Sequence, residues 1–362
     1  MPALHRKALE AYLRHRFGPR ARLLAFGPIG QETSGPALKQ YGYGAPVRLT
    51  FHDGQVTRRV VLETMCAGPF GHEHMADRAQ ALLWDYDSYG RLPRHVPALD
   101  VGAFTGDGAL FSVAPAQEFF VLTGWAEGDS YHKDLERLSR TDRLRQADRN
   151  RTRALARYLS DIHRVKRRHP ALYRRRLREL LGHGECIMGL TDSYPVRFDF
   201  ITEDLLRSIE DACNRWRWRL RRKAGRLVQV HGDFHPWNVL FRKGTEFSVL
   251  DRSRGEWGEA ADDLTAMTIN YLFFSLCRWG KLQGPFEVLF RQFWDDYGTA
   301  SGDRAITECA APFFAFRGLV IASPLWYPKL PLSVRRSLFN FIRNVLAEER
   351  FDPDQVNRYL KH

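Results

Sequence analysis

Apolar and polar positions alternate through much of the first third of the chain, whereas helical spacing dominates the rest. Leu4, Ala8 and Tyr12 fall on one stripe and predict a short N-terminal helix. Residues 22–26, 47–51 and 58–64 read as strands, and His52-Asp53-Gly54 is a turn that joins the last two into a hairpin. Over 72–89, Met75, Ala79, Leu82, Leu83 and Tyr86 gather near one face, which predicts a helix. A second strand pair is expected at 109–113 and 118–122, followed by a hinge at 123–128. Beyond it the pattern predicts helices over about 134–168, 202–222, 262–279 and 331–349, interrupted by a strand cluster at 227–251. The outline is an α+β chain of two lobes: a β-rich lobe at 1–122, the hinge, and a mainly helical lobe at 129–362.

Composition narrows this picture. The 362 residues are 44% apolar and 27% charged, which excludes disorder or a fibre as a description of the whole chain. Net charge is +13, but the basic residues are spread along the chain and form no separate nucleic-acid arm. Only nine of the 55 basic residues are Lys, the others being Arg. Five cysteines, odd in number and never in a CxxC spacing, argue against a zinc ribbon or a disulfide framework. They fit a reducing compartment, so a cytoplasmic location is expected. The first residues contain no apolar run of the signal type, and the apolar stretch 318–327 is too short, and interrupted by Pro324, to span a bilayer.

Chemistry concentrates in 227–263. An apolar strand runs into His231-Gly232-Asp233; Asn238 follows five residues after Asp233, and Asp251 eighteen after it, at the end of a second apolar run. The turn Arg242-Lys243-Gly244-Thr245 lies between them. Phosphoryl transfer from a nucleotide requires such a set: one carboxylate to orient or deprotonate an acceptor hydroxyl, and a second carboxylate with an amide oxygen to hold Mg2+ on the phosphates. Protein kinases space the same parts as H-R-D, four residues, Asn, and a later Asp.

The run HGDFHPWN, then VLD and Gly258 with Asp263-Leu264, resembles the aminoglycoside phosphotransferase and choline kinase group of the protein-kinase-like fold. Gly in place of the Arg of H-R-D marks this small-molecule branch. The resemblance implies Asp233 as catalytic base, Asn238 and Asp251 as metal ligands, and His231 and Asp263 as supports of the loop. It further implies ATP (or GTP) and Mg2+ as cofactors, and a hinge whose Gly124–Ala126 backbone meets the purine. Looser matches are Leu159-Ser160-Asp161-Ile162-His163, like the helix before the catalytic loop, and 119–128, like the fifth strand and hinge.

One position departs from the pattern. Kinase-like enzymes place a Lys on the third strand to grip phosphates, but Glu63 stands there in this chain. Lys39 is one candidate replacement, Arg58 or Arg59 another, and the third reading is a pseudokinase that binds nucleotide without turnover. The stretch Gly30–Gly35 sits where a phosphate-covering loop would lie, but it does not form GxGxxG. Glu73 or Asp77 is the candidate for the helix carboxylate that would pair with the missing Lys.

Other features carry plainer readings. Trp216 and Trp218 among Arg215–Arg222 resemble a basic-aromatic nucleic-acid patch, but their spacing fits core tryptophan with snorkelling arginines better. Nucleic acid is therefore not the expected partner. The expected acceptor is a hydroxyl of a small molecule, neutral or anionic, because a basic surface repels a polycation at long range.

Overall fold

The structure is a computed structural model that describes residues 4–29, 44, 46–68, 70–91 and 93–362. The chain divides into two compact units, Met1–Thr123 and Gly124–His362.

In the first unit, helix α1 (Arg6–Phe17) precedes an antiparallel three-stranded sheet of β1 (Arg22–Pro28), β2 (Val47–His52) and β3 (Thr57–Leu62). Strand β2 is central, and its alternation buries Val47, Leu49 and Phe51. They meet Leu9 and Leu13 of α1 in one small core. Asp53 shapes the hairpin turn, its carboxylate accepting from the Gln55 and Val56 N–H groups, each at 2.8 Å. Helix α2 (Met75–Tyr89) follows, and then the short hairpin of β4 (Gly102–Phe104) and β5 (Leu110–Ser112).

This last hairpin corrects the expected pairing of 109–113 with 118–122. The partner of β5 lies upstream, across a tight turn at Asp107-Gly108, where Gly108 has φ +83°. Residues 118–122 form no strand; Phe120 is 92% and Leu122 90% exposed, and no described strand hydrogen-bonds to them. Apolar β-formers alone do not make a strand without a neighbouring edge.

The second unit opens with β6 (Asp129–Ser130), α3 (His132–Thr141) and α4 (Gln146–His163). The single helix expected over 134–168 is thus broken. Asp142 adopts a left-handed conformation (φ 53°) that ends α3, and Asp148 restarts the chain by accepting the Arg145 N–H at 2.8 Å. Next come α5 (Pro170–Gly182), α6 (Ile187–Asp192) and α7 (Glu203–Leu220), and then four short strands: β7 (Val228–Gln229), β8 (Val239–Phe241), β9 (Phe247–Val249) and β10 (Trp257–Gly258). Five helices complete the unit: α8 (Ala260–Trp279), α9 (Gly284–Ser301), α10 (Ala311–Ala322), α11 (Leu332–Ala347) and α12 (Val356–Tyr359). Helix α8 is buried on nearly every side and packs against α9 and α10, while α9 lies along α4. Among the described residues, no helix is long and apolar enough to cross a membrane.

Candidate active site

Strand β7 delivers the chain into His231-Gly232-Asp233 with Val230 held by its N–H to the Glu256 carbonyl at 2.9 Å. Gly232 turns the backbone at φ +86°, and a Cβ there would meet the Cβ of Arg254 at 3.2 Å. Both the conformation and the space therefore favour glycine where protein kinases carry Arg. Asp263, in the first turn of α8, is fully buried and faces this turn. Its Oδ2 accepts the His231 N–H at 2.8 Å and its Oδ1 the Gly232 N–H at 2.7 Å. His163, at the end of α4, adds its Nε2 at 3.1 Å and is itself bonded to the Tyr297 hydroxyl at 2.9 Å. Burial would raise the Asp263 carboxyl, but the His163 hydrogen bond and charge and the His231 N–H hold it below the ordinary range. Burial pushes the His231 imidazole down, against the opposing pull of Asp263 and Asp233.

Asn238 and Asp251 approach each other through strand register. β8 and β9 pair with Val239 opposite Val249, so Asn238 lies opposite Leu250, whose N–H reaches the Asn238 carbonyl at 2.8 Å. Asp251 is the next residue. The Asn238 amide nitrogen also donates to the Asp233 carbonyl at 3.1 Å, which ties the loop to the hairpin. Asp251 has φ 55°, a left-handed conformation that Asp tolerates, and its Oδ1 accepts the Ser253 N–H at 3.1 Å. Sequence spacing alone thus brought together three residues that share one loop and one hairpin.

A group the sequence did not single out controls the Asp233 side chain. Arg317 lies within the apolar helix α10, is 6% exposed, and places one guanidinium nitrogen on Asp233 Oδ1. Its other terminal nitrogen reaches Asp262 Oδ1 at 2.7 Å and the Gly232 carbonyl at 2.9 Å. On the opposite side, His235 Nε2 is 3.5 Å from Asp233 Oδ2. Burial would raise the Asp233 carboxyl, but His235 and the Arg317 charge outweigh it and leave the group well below the usual carboxylate range. Phe316 carries two guanidiniums, those of Arg317 at 4.5 Å and Arg254 at 4.8 Å from its centroid. The Nε atoms of Arg254 and Arg317 are buried without a partner among the described residues. One signal was available: Arg317 is the single charge in the run APFFAFRGLVIA, and a buried charge requires partners.

The remaining expected positions are less gathered. Lys39 and the stretch Gly30–Gly35 lie outside the described residues. Glu63 is exposed, one residue past β3. Arg58 is engaged by Asp53 at 2.5 Å, across the hairpin turn. Asp77 caps its own helix by accepting the His74 N–H at 2.7 Å, and Glu73 precedes that helix. Gly124 is exposed and Ala126 half-buried, both in irregular chain.

The donor chemistry around Asn238 suits a hard cation. The Asn238 nitrogen is spent on the Asp233 carbonyl, which leaves its amide oxygen to coordinate, and Asp251 is an exposed carboxylate. Mg2+ takes one or two such oxygens and completes its octahedron with phosphates and water. Among the described residues no group of three or more His, Cys, Asp or Glu could hold a metal by itself.

Solved structures similar to the chain include an amicoumacin kinase in complex with AMP-PNP, Ca2+ and Ami (13% identity, 93% of this chain and 92% of that one, TM-score 0.41). A Plasmodium vivax ethanolamine kinase matches at 11% identity over 93% of this chain and 80% of its own, with TM-score 0.36. A choline kinase from Cryptosporidium parvum matches at 10% over 93% and 85%, with TM-score 0.34. None of the curated proteins matches in sequence. The phosphotransferase enzyme family, by contrast, matches residues 93–300, more than half of the chain and the whole of the loop, hairpin and brace just described. The chain belongs to the phosphotransferase enzyme family.

Proposed function

We propose that the chain transfers the γ-phosphate of ATP (or GTP) to a hydroxyl of a small molecule, with Asp233 as base and Asn238 and Asp251 holding Mg2+. The observation that carries this reading is the register of β8 on β9, which sets Asn238 opposite the residue before Asp251 while its amide bonds the Asp233 carbonyl. Mg2+ bound there would neutralise phosphate charge and orient the phosphoryl group.

The residues divide the remaining work. Asp233 stays ionised through the physiological range and accepts a hydrogen bond from the acceptor hydroxyl, taking its proton late, as the phosphoryl group arrives. Arg317 and His235 fix the direction of that carboxylate. Asp263 and His231 hold the loop, the Gly124–Ala126 backbone meets the purine, and Lys39 grips the phosphates in place of the absent strand Lys. The unpartnered Nε–H groups of Arg254 and Arg317 favour an acceptor that is neutral or anionic. A reducing, cytoplasmic setting suits five cysteines that are all free thiols.

ATP with Mg2+ should raise the melting temperature, and phosphate should pass to a member of a hydroxyl library. Asp233→Asn should abolish transfer and leave the nucleotide-induced shift nearly intact; unchanged transfer would remove Asp233 from the role of base. Two observations favour the pseudokinase alternative: the Asp233 carboxylate is already occupied by Arg317, and Glu63 stands where a phosphate-gripping Lys is expected. A nucleotide shift without transfer to any hydroxyl would establish that alternative.

A further inference from the structure

Helices α5 and α7, with the 3-10 turn Arg221–Arg226 that follows α7, pack side by side and carry arginines to one cleft. Arg174, Arg178, Arg217 and Arg221 line a cavity of about 170 Å³ whose fifth wall is Leu177. A neighbouring hollow of about 560 Å³ shares Arg174 and Arg221 and adds Trp218, Arg219 and Arg222. The smaller cavity alone exceeds the ~10–15 Å³ that a single water needs.

Among the described residues, none of Arg174, Arg178, Arg217, Arg221 and Arg222 has a carboxylate within 4.0 Å. Glu179, the acidic residue of α5, is taken by Arg175 and Arg176, each at 2.5 Å. Arg174 and Arg178 stand at i,i+4, and so do Arg217 and Arg221, a spacing at which like charges oppose helix formation by about 0.2–0.5 kcal/mol per pair. The charge spacing therefore does not stabilise the helices. The arrangement offers instead several planar, fork-shaped donors facing one space, which is the geometry that recognises phosphate oxygens.

Trp218 defines the kind of anion. The residue is 53% exposed, yet the guanidiniums of Arg217 and Arg221 lie 5.1 and 4.8 Å from its ring centroid. The ring surface is thus committed to holding two arginines in place rather than to stacking on a base. Trp216 plays no part here: it is buried in the core, and its indole N–H reaches the Leu346 carbonyl at 2.9 Å. The surface suits a short, dense anion better than a strand of stacked bases.

We propose that the α5–α7 cleft is a binding site for a compact oligophosphate anion, separate from the Asp233 loop and independent of whether the chain turns over nucleotide. The probe is inorganic tripolyphosphate, titrated by calorimetry into the full chain without Mg2+. Saturable binding of one anion per chain is expected. It should persist in Asp251→Ala and weaken by about tenfold for each guanidinium removed in Arg178→Gln and Arg221→Gln. The same ligand should change tryptophan emission in the parent chain but not in Trp218→Phe. Melting temperatures of the Gln variants, matching the parent, exclude unfolding as the cause of lost affinity. Binding that survives Arg178→Gln/Arg221→Gln, or that disappears with Asp251→Ala, overturns the proposal. So does saturable binding of a single-stranded oligonucleotide that tripolyphosphate fails to displace.

Discussion

Arg317 and the arginines of the α5–α7 cleft place the same side chain under opposite conditions. Arg317 is buried and bonded to two carboxylates and a carbonyl. Arg174, Arg178, Arg217 and Arg221 are gathered with no carboxylate within 4.0 Å among the described residues. A buried guanidinium must be paired, because an isolated charge in a protein interior costs several kcal/mol. Gathered guanidiniums at a surface cost little, because water and salt screen them, and they keep their hydrogen-bonding capacity in reserve. Arg317 thus spends its terminal nitrogens on the protein itself, whereas the cleft keeps its donors for a ligand. The two groups also differ in what their removal should do.

The largest effect is expected for Arg317→Ala, which leaves Asp233 and Asp262 without their shared cation. Loss of one partner from a buried ion pair costs about 3–5 kcal/mol, read as a fall in the urea midpoint, with phosphoryl transfer lost as well. Arg317→Lys should recover only part of this stability, since an ammonium cannot span two carboxylates in a fixed plane. If Arg317→Ala unfolds no more easily than Arg178→Ala, the contrast between the two sites fails.

Gly232→Ala comes next. A left-handed backbone and the 3.2 Å approach to Arg254 together predict a loss of about 1–3 kcal/mol. Transfer should fall further than stability, since the strain bears on the loop carrying Asp233.

A smaller effect follows from His231. Its folded pKa lies below the unfolded value of about 6.5. The neutral form is therefore favoured in the fold, and its contribution is complete above that unfolded value. As pH falls through about 6.5 toward the folded pKa, the unfolded chain binds the proton first and stability declines. His231→Asn should flatten this part of the stability–pH curve, whatever its effect at pH 8.

The smallest change belongs to the cleft. Arg178→Ala or Arg221→Ala should alter stability by no more than about 0.5 kcal/mol, with a gain rather than a loss where like-charge repulsion at i,i+4 is relieved. A large loss would mean that these arginines are held by acids and are not held in reserve.

The loop and hairpin could be read from the sequence because their parts are close in it. Asp233, Asn238 and Asp251 are placed by one turn and one pair of strands, so spacing along the chain is nearly spacing in the fold. Arg317 lies 84 residues from Asp233, and nothing local links them. Its only trace is a charge inside an apolar helix. The strand expected at 118–122 shows the converse error: its apolar residues suit a sheet, but the edge that would pair with β5 had already been supplied upstream by β4. The break at Asp142 was hidden because Asp is tolerated in both helical and left-handed conformations, and apolar spacing continues on either side. The cleft was visible only as scattered basic residues, since convergence of α5 on α7 is a property of packing.

The hairpin between Asn238 and Asp251 has a practical consequence. Their approach is set by the pairing of β8 with β9, whereas the turn at 242–246 is exposed and contributes no candidate ligand. Loop closure becomes costlier only slowly as residues are added, about 0.6 kcal/mol per doubling in length. That turn is therefore the place to insert an epitope or a fluorescent reporter: the chain can be lengthened at the far end of the ladder while the two oxygens at its near end keep their separation.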